Sequence, residues 1–105
     1  MDIGELKKQS DLSYNIAIAK RNALEKAHAR MVVVYESHIF QADAETINLV
    51  STLKQTNDSF YVLDKNQNPV VITDPDKFLK ILIQRNQEAI GSYHQMSQTF
   101  EKRGD

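Results

Sequence analysis

The chain has no cysteine. This rules out a disulfide framework, a thiolate metal site and a cysteine nucleophile, and it leaves no mark of the redox compartment. Gly (3) and Pro (2) are scarce among 105 residues, which argues against a long flexible linker or a low-complexity tail. Neither sign of charge prevails: 13 Lys and Arg stand against 14 Asp and Glu, so no global field draws the chain to nucleic acid or to an anionic membrane. Long apolar runs are also missing. Stretches such as "MVVVY" fall far short of the roughly 20 residues needed to cross a bilayer. The opening "MDIGELKKQ" begins with an acid and has no apolar core, unlike a secretory signal. These readings describe a single domain over 1–105, soluble and made in a cytoplasm, which finds its partners by local shape.

What is present is patterning. Leu12, Ile16, Ala19, Ala23 and Ala27 recur every three or four residues, which predicts an amphipathic helix to about Met31 whose small residues let a second helix approach closely. Residues 1–11 extend this helix or fray. Lys20, Arg21, Lys26 and Arg30 form its solvated face. "MVVVYESHIFQAD" is β-branched and aromatic with a polar break, which predicts a short hairpin with strands near 32–36 and 38–41. Asp43 then caps a helix with Glu45 in its first turn. Ile47, Val50 and Leu53, with Leu49 beside them, make its buried stripe, and "QTNDS" ends it.

"FYVL" and "VVIT" flank the hexapeptide "DKNQNP" as a second hairpin. Thr73 or Asp74 caps the last helix, with Pro75 in its first turn and Thr73 to Asp76 at capping-box spacing. From there Leu79, Leu82, Asn86, Ala89, Tyr93, Met96 and Phe100 form a heptad-like seam. This helix spans ~27 residues, roughly 40 Å, and residues 96–105 are read as its extended tail. It is longer than a domain this small, so its second half needs cover from the first helix or from another subunit. Leu82, Asn86, Ala89, Tyr93, Met96 and Phe100 are therefore the candidate protein interface, with Asn86 as a buried amide that sets register or oligomeric state. The fold class is α+β: helix, hairpin, helix, hairpin, long helix, with a small antiparallel sheet packed on the helices.

Chemistry is thin. Asp64, Asn66 and Asn68 match the first, third and fifth places of a calcium loop, but Pro69 stands where that loop needs Gly and Pro75 where it needs Glu. A turn supplied by Asp and Asn is the better reading. His28, His38 and His94 share no spacing of three or four, so no helix presents a paired-histidine metal face. Ser37 and Glu36 beside His38 are too close in sequence to make a triad, and helix capping accounts for Asp74 and Asp76. Gly91 sits inside a helical pattern, where it costs about 1 kcal/mol against Ala unless packing requires it. The terminal Arg103-Gly104-Asp105 matches an adhesion tripeptide that three residues reach easily by chance. The eight aromatics (4 Tyr and 4 Phe) are not interleaved with Lys and Arg as a single-strand-binding platform requires. No catalytic residue, metal, cofactor, nucleic acid, membrane or small-molecule substrate is expected.

One resemblance rests on ordered single residues. Tyr35, Phe40, Asp43, Asn48, Tyr61, Asn66, Val71 and Thr73, in a chain that opens with an alanine-rich charged helix, resemble the pattern of a small domain of bacteriophage tail proteins. That domain is of unknown function and is often carried by tail-fibre or tail-assembly proteins. The likeness covers about residues 19–95. It departs from the usual pattern at Lys65, where an acid commonly precedes the Asn, and in a loop to Thr73 one residue longer. The resemblance implies a non-enzymatic connector in the baseplate or fibre-attachment region of the virion tail, contacting other tail proteins and copies of itself. Its alternatives are a tail-assembly chaperone absent from the finished particle and a small phage inhibitor of a host protein. The last would favour an acidic surface, which a net charge of -1 does not supply.

Overall fold

The computed structural model describes the main chain of residues 3–104 and the side chains of 14–100. Its elements follow the expected order: α1 (Ile3–Arg30), β1 (Val32–Tyr35), β2 (His38–Gln41), α2 (Ala44–Leu53), β3 (Phe60–Leu63), β4 (Pro69–Ile72) and α3 (Pro75–Gly104). The α+β class holds, with one refinement. The strands form two separate two-stranded antiparallel sheets, β1-β2 and β3-β4.

Local chemistry explains the boundaries. The Asp43 side chain accepts from Thr46 N–H at 2.8 Å, capping α2 as its position predicts; such a cap is worth about 1 kcal/mol. Asp74 rather than Thr73 starts α3, with its carboxylate 3.3 Å from Lys77 N and its carbonyl accepting from Phe78 N–H at 3.1 Å. Of residues 1–11, expected to extend the first helix or fray, those from Ile3 onward extend it. The side chains of Leu12 and of the Arg103-Gly104-Asp105 end lie outside the described residues.

β1 and β2 are joined by a two-residue turn, Glu36-Ser37, in register Tyr35↔His38. Both turn residues have positive φ, 49° and 68°, the signature of the type I′ turn that suits the twist of a hairpin. Neither is Gly or Asn, so the backbone is strained here.

The core lies between the hairpins and the first half of α3. Phe40, Phe78, Ile72, Leu82 and Val50 are its largest fully buried side chains, each contributing roughly 1.5–3 kcal/mol by leaving water. Phe78 is central: its ring centroid is 5.0 Å from Tyr35 and 4.8 Å from Phe40, in tilted and edge-on arrangements. Burial, with Glu36 and Asp74 adding negative charge nearby, pushes the Tyr35 phenol above its ordinary value, so the ring stays neutral in the core.

The end of α1 meets α3 where Arg30 Nη1 donates to Ser92 Oγ at 2.8 Å, and Met31, the residue after α1, has its Sδ 3.8 Å from Asn86 Nδ2. From there α1 runs back toward Ile3 and α3 runs on toward Gly104. The two are therefore antiparallel, and they draw the molecule out to 66 × 22 × 21 Å. Ala23 and Ala27 are buried at 2% and 3% exposure, and their small side chains let α3 come close. No described helix is long and apolar enough to cross a membrane.

Candidate interaction surface

The seam of α3 is covered by its own chain. Leu82, Ala89 and Phe100 are buried, and Asn86, Tyr93 and Met96 are half-buried. The second half of α3, expected to outrun its domain, lies beside the C-terminal half of α1, where Ala23 and Ala27 are buried. Within the chain this cover comes from the first helix, one of the two sources the pattern allowed. Asn86 likewise acts within the chain: its Nδ2 donates to the Ala42 carbonyl at 3.0 Å, tying α3 to the link between β2 and α2. It satisfies a carbonyl on a residue with no exposed surface, a polar pairing that fixes one docking of the helix.

"DKNQNP" is a turn built around a buried carboxylate. Asp64 Oδ1 accepts from Asn66 N–H at 2.9 Å and from Asn68 N–H at 2.8 Å. Its Oδ2 lies 3.1 Å from His38 Nδ1 and 3.5 Å from Asn68 Nδ2. The Asn68 backbone N–H above all, with help from His38 and Asn66, holds the carboxyl below its ordinary range against the opposing effect of burial. An ionised carboxylate only accepts, so Nδ1 of His38 carries the hydrogen. The turn thus connects the hairpins: His38 on β2 and Asp64 after β3 are brought together although neither marked the other in sequence. A second link, Lys65 N–H to Ile39 carbonyl at 2.7 Å, joins them beside it. The pair orients an imidazole as an acid–base catalyst would, but among the described residues no hydroxyl is hydrogen-bonded to its other nitrogen, and no group of three metal-binding side chains occurs.

The second hairpin is apolar on both faces. Phe60, Val62, Val70 and Ile72 point into the core, whereas Tyr61, Leu63, Pro69 and Val71 point outward. Tyr61 is 71% exposed and Leu63 56%. Beside them on α2, Leu49, expected with Ile47, Val50 and Leu53 in the buried stripe, is instead 48% exposed. Between α2 and β3 runs a groove of about 480 Å³, with Glu45, Thr46 and Leu49 on one wall and Tyr61, Leu63 and Lys65 on the other.

Hydrogen-bond parity says what the β3 wall offers. In an antiparallel ladder, bonded and non-bonded pairs alternate. The bond from Asp64 N–H to Asn68 carbonyl at 2.9 Å marks that pair as bonded, so Val62↔Val70 and Phe60↔Ile72 are bonded too. Tyr61↔Val71 and Leu63↔Pro69 are not, in keeping with the missing N–H of Pro69. The N–H and C=O of Tyr61 and Leu63 therefore point away from β4. Lys65, of the same parity, sends its N–H to Ile39; Tyr61 and Leu63 have no main-chain partner among the described residues.

Compared with models of protein families, with curated proteins and with solved structures, the chain matches none. The surface stands on its geometry alone. A signal for it was present in the sequence: in "FYVL" and "PVVI" both parities are apolar, and a two-stranded sheet covers only one face.

Proposed function

We propose that this protein is a non-enzymatic connector that works by protein–protein contact. The observation that carries this reading is the outward face of the β3-β4 hairpin, where Tyr61, Leu63, Pro69 and Val71 remain open to water. Apolar side chains gathered on one exposed face mark a site of contact with a partner. The seam of α3 is buried or half-buried within its own chain, so the hairpin face and not the seam carries this reading.

The resemblance to a phage tail domain gives the reading its setting: the baseplate or fibre-attachment region of a virion tail. The residues that carry it include Tyr61 and Val71, which face each other on the exposed side of the hairpin. Mass spectrometry of particles purified from the phage that encodes this chain tests the setting. Presence in stoichiometric amount supports a connector. Absence from the particle, with the chain recovered on unassembled tail proteins, replaces it with an assembly chaperone.

A further inference from the structure

The groove between α2 and β3 has two properties at once. Its walls carry the exposed apolar side chains of Leu49, Tyr61 and Leu63, and its β3 edge presents the free N–H and C=O groups of Tyr61 and Leu63. An apolar surface alone accepts many shapes. A row of unpaired main-chain donors and acceptors spaced at every second residue accepts one, an extended backbone.

The size of the patch decides between a second globular copy and a short segment. A fully covered aromatic side chain buries ~150–250 Å². Tyr61, Leu63 and Leu49 are each already part covered, so together they supply a few hundred Å² at most. A standard interface takes about 800 Å² from each partner. The groove is thus too small for a stable dimer and suited to a single strand. Its charges refine the occupant: Glu45 on the α2 wall and Lys65 at the hairpin end are complemented by a segment with a basic residue toward α2 and an acidic one beside Lys65.

We propose that this groove binds an extended peptide segment of a partner protein, apolar at alternate positions, which adds as a strand to the free edge of β3. The proposal rests on the connector reading only in taking the partner to be a protein, and it names the surface through which that partner is held. Main-chain bonds to Tyr61 and Leu63 give affinity, and the pocket beside Leu49 selects the alternate side chains.

The test uses a synthetic library of acetylated, amidated hexapeptides with Val, Ile, Leu, Phe or Tyr at alternate positions and Ser, Thr, Lys or Glu between them, titrated into the full chain by NMR. The expected result is a set of binders whose amide shifts map to Glu45–Leu49 and Tyr61–Lys65, with slowed exchange at the Tyr61 and Leu63 amides. N-methylation of alternate peptide nitrogens weakens binding about tenfold or more. Leu63→Pro, which deletes an outward N–H at an edge position where Pro is tolerated, does the same, and Leu63→Val, which keeps that N–H, does not. Should Leu63→Pro fail to fold, the N-methylated peptides carry the comparison. Three results overturn the proposal: no library member binding better than its N-methylated form, shifts confined to α1 and α3, or a dimer of the protein alone that protects the same two amides. Peptide binding with no chain found on particles or tail proteins leaves the groove standing and removes the tail setting. A chain found on particles with no peptide bound does the reverse.

Discussion

The Glu36-Ser37 turn permits a quantitative test of the fold. Its two residues hold φ of 49° and 68°, a region where a side chain with a Cβ costs roughly 1–2 kcal/mol per residue. Replacing Ser37 by Gly removes that penalty at 37, offset by about 0.5–1 kcal/mol for the extra freedom glycine loses on folding. Replacing Glu36 by Asn puts a tolerant residue at 36 and gives the Asn-Gly pair that a type I′ turn prefers. Both side chains are exposed, so no packing is lost. The sum is a gain of about 1–2 kcal/mol for Glu36→Asn with Ser37→Gly, which raises Tm by roughly 4–8 °C per kcal/mol in a domain of this size. Urea unfolding followed by circular dichroism measures it, with the midpoint shifting up and the slope unchanged. Glu36→Ala with Ser37→Ala is the control, because alanine suits positive φ no better than serine does. If the Asn-Gly variant is no more stable than wild type, or if the double alanine matches it, backbone strain is not what this turn stores.

Other consequences follow from single contacts. Asn86→Leu leaves the Ala42 carbonyl without its donor in a buried place and lowers stability by about 1–3 kcal/mol; a neutral result in urea unfolding would show that the amide anchors nothing. Gly91 has open space where a Cβ would stand, so packing does not require glycine there, and Gly91→Ala raises stability by about 0.5–1 kcal/mol in a thermal melt. The folded Asp64 carboxyl titrates below its unfolded value of 3.8, so the unfolded chain binds the proton first. Its stabilisation is complete above that value and is lost as pH falls through the lower folded value. Melts across the acid range are expected to fall steeply for wild type and less so for Asp64→Asn, which starts lower at neutral pH.

The sequence made most of the elements legible because their signals are local. Asp43 and Pro75 mark helix starts, the polar hexapeptide separates two strands, and the three-four spacing from Ile16 to Ala27 marks a helix that packs on another. What escaped depends on contacts between distant residues. Phe78 lies one position before the seam that begins at Leu79, and its central place appears only once Tyr35 and Phe40 converge on it. The His38–Asp64 contact joins residues from different hairpins. The α3 seam was legible as a stripe that needs cover, but spacing alone does not say which chain supplies it. Leu49, Tyr61 and Leu63 have the hydrophobicity of core residues, and only the arrangement of two narrow sheets leaves them outside.

The antiparallel helix pair has a kinetic consequence. Each hairpin closes across a few residues, a step of microseconds. Arg30 and Ser92, by contrast, are separated by 62 residues, so bringing α1 onto α3 closes a far longer loop at a larger cost in chain entropy. Cover for the stripe from Ala89 to Phe100 thus depends on contacts made across a long stretch of chain, the kind of non-local closure that slows folding.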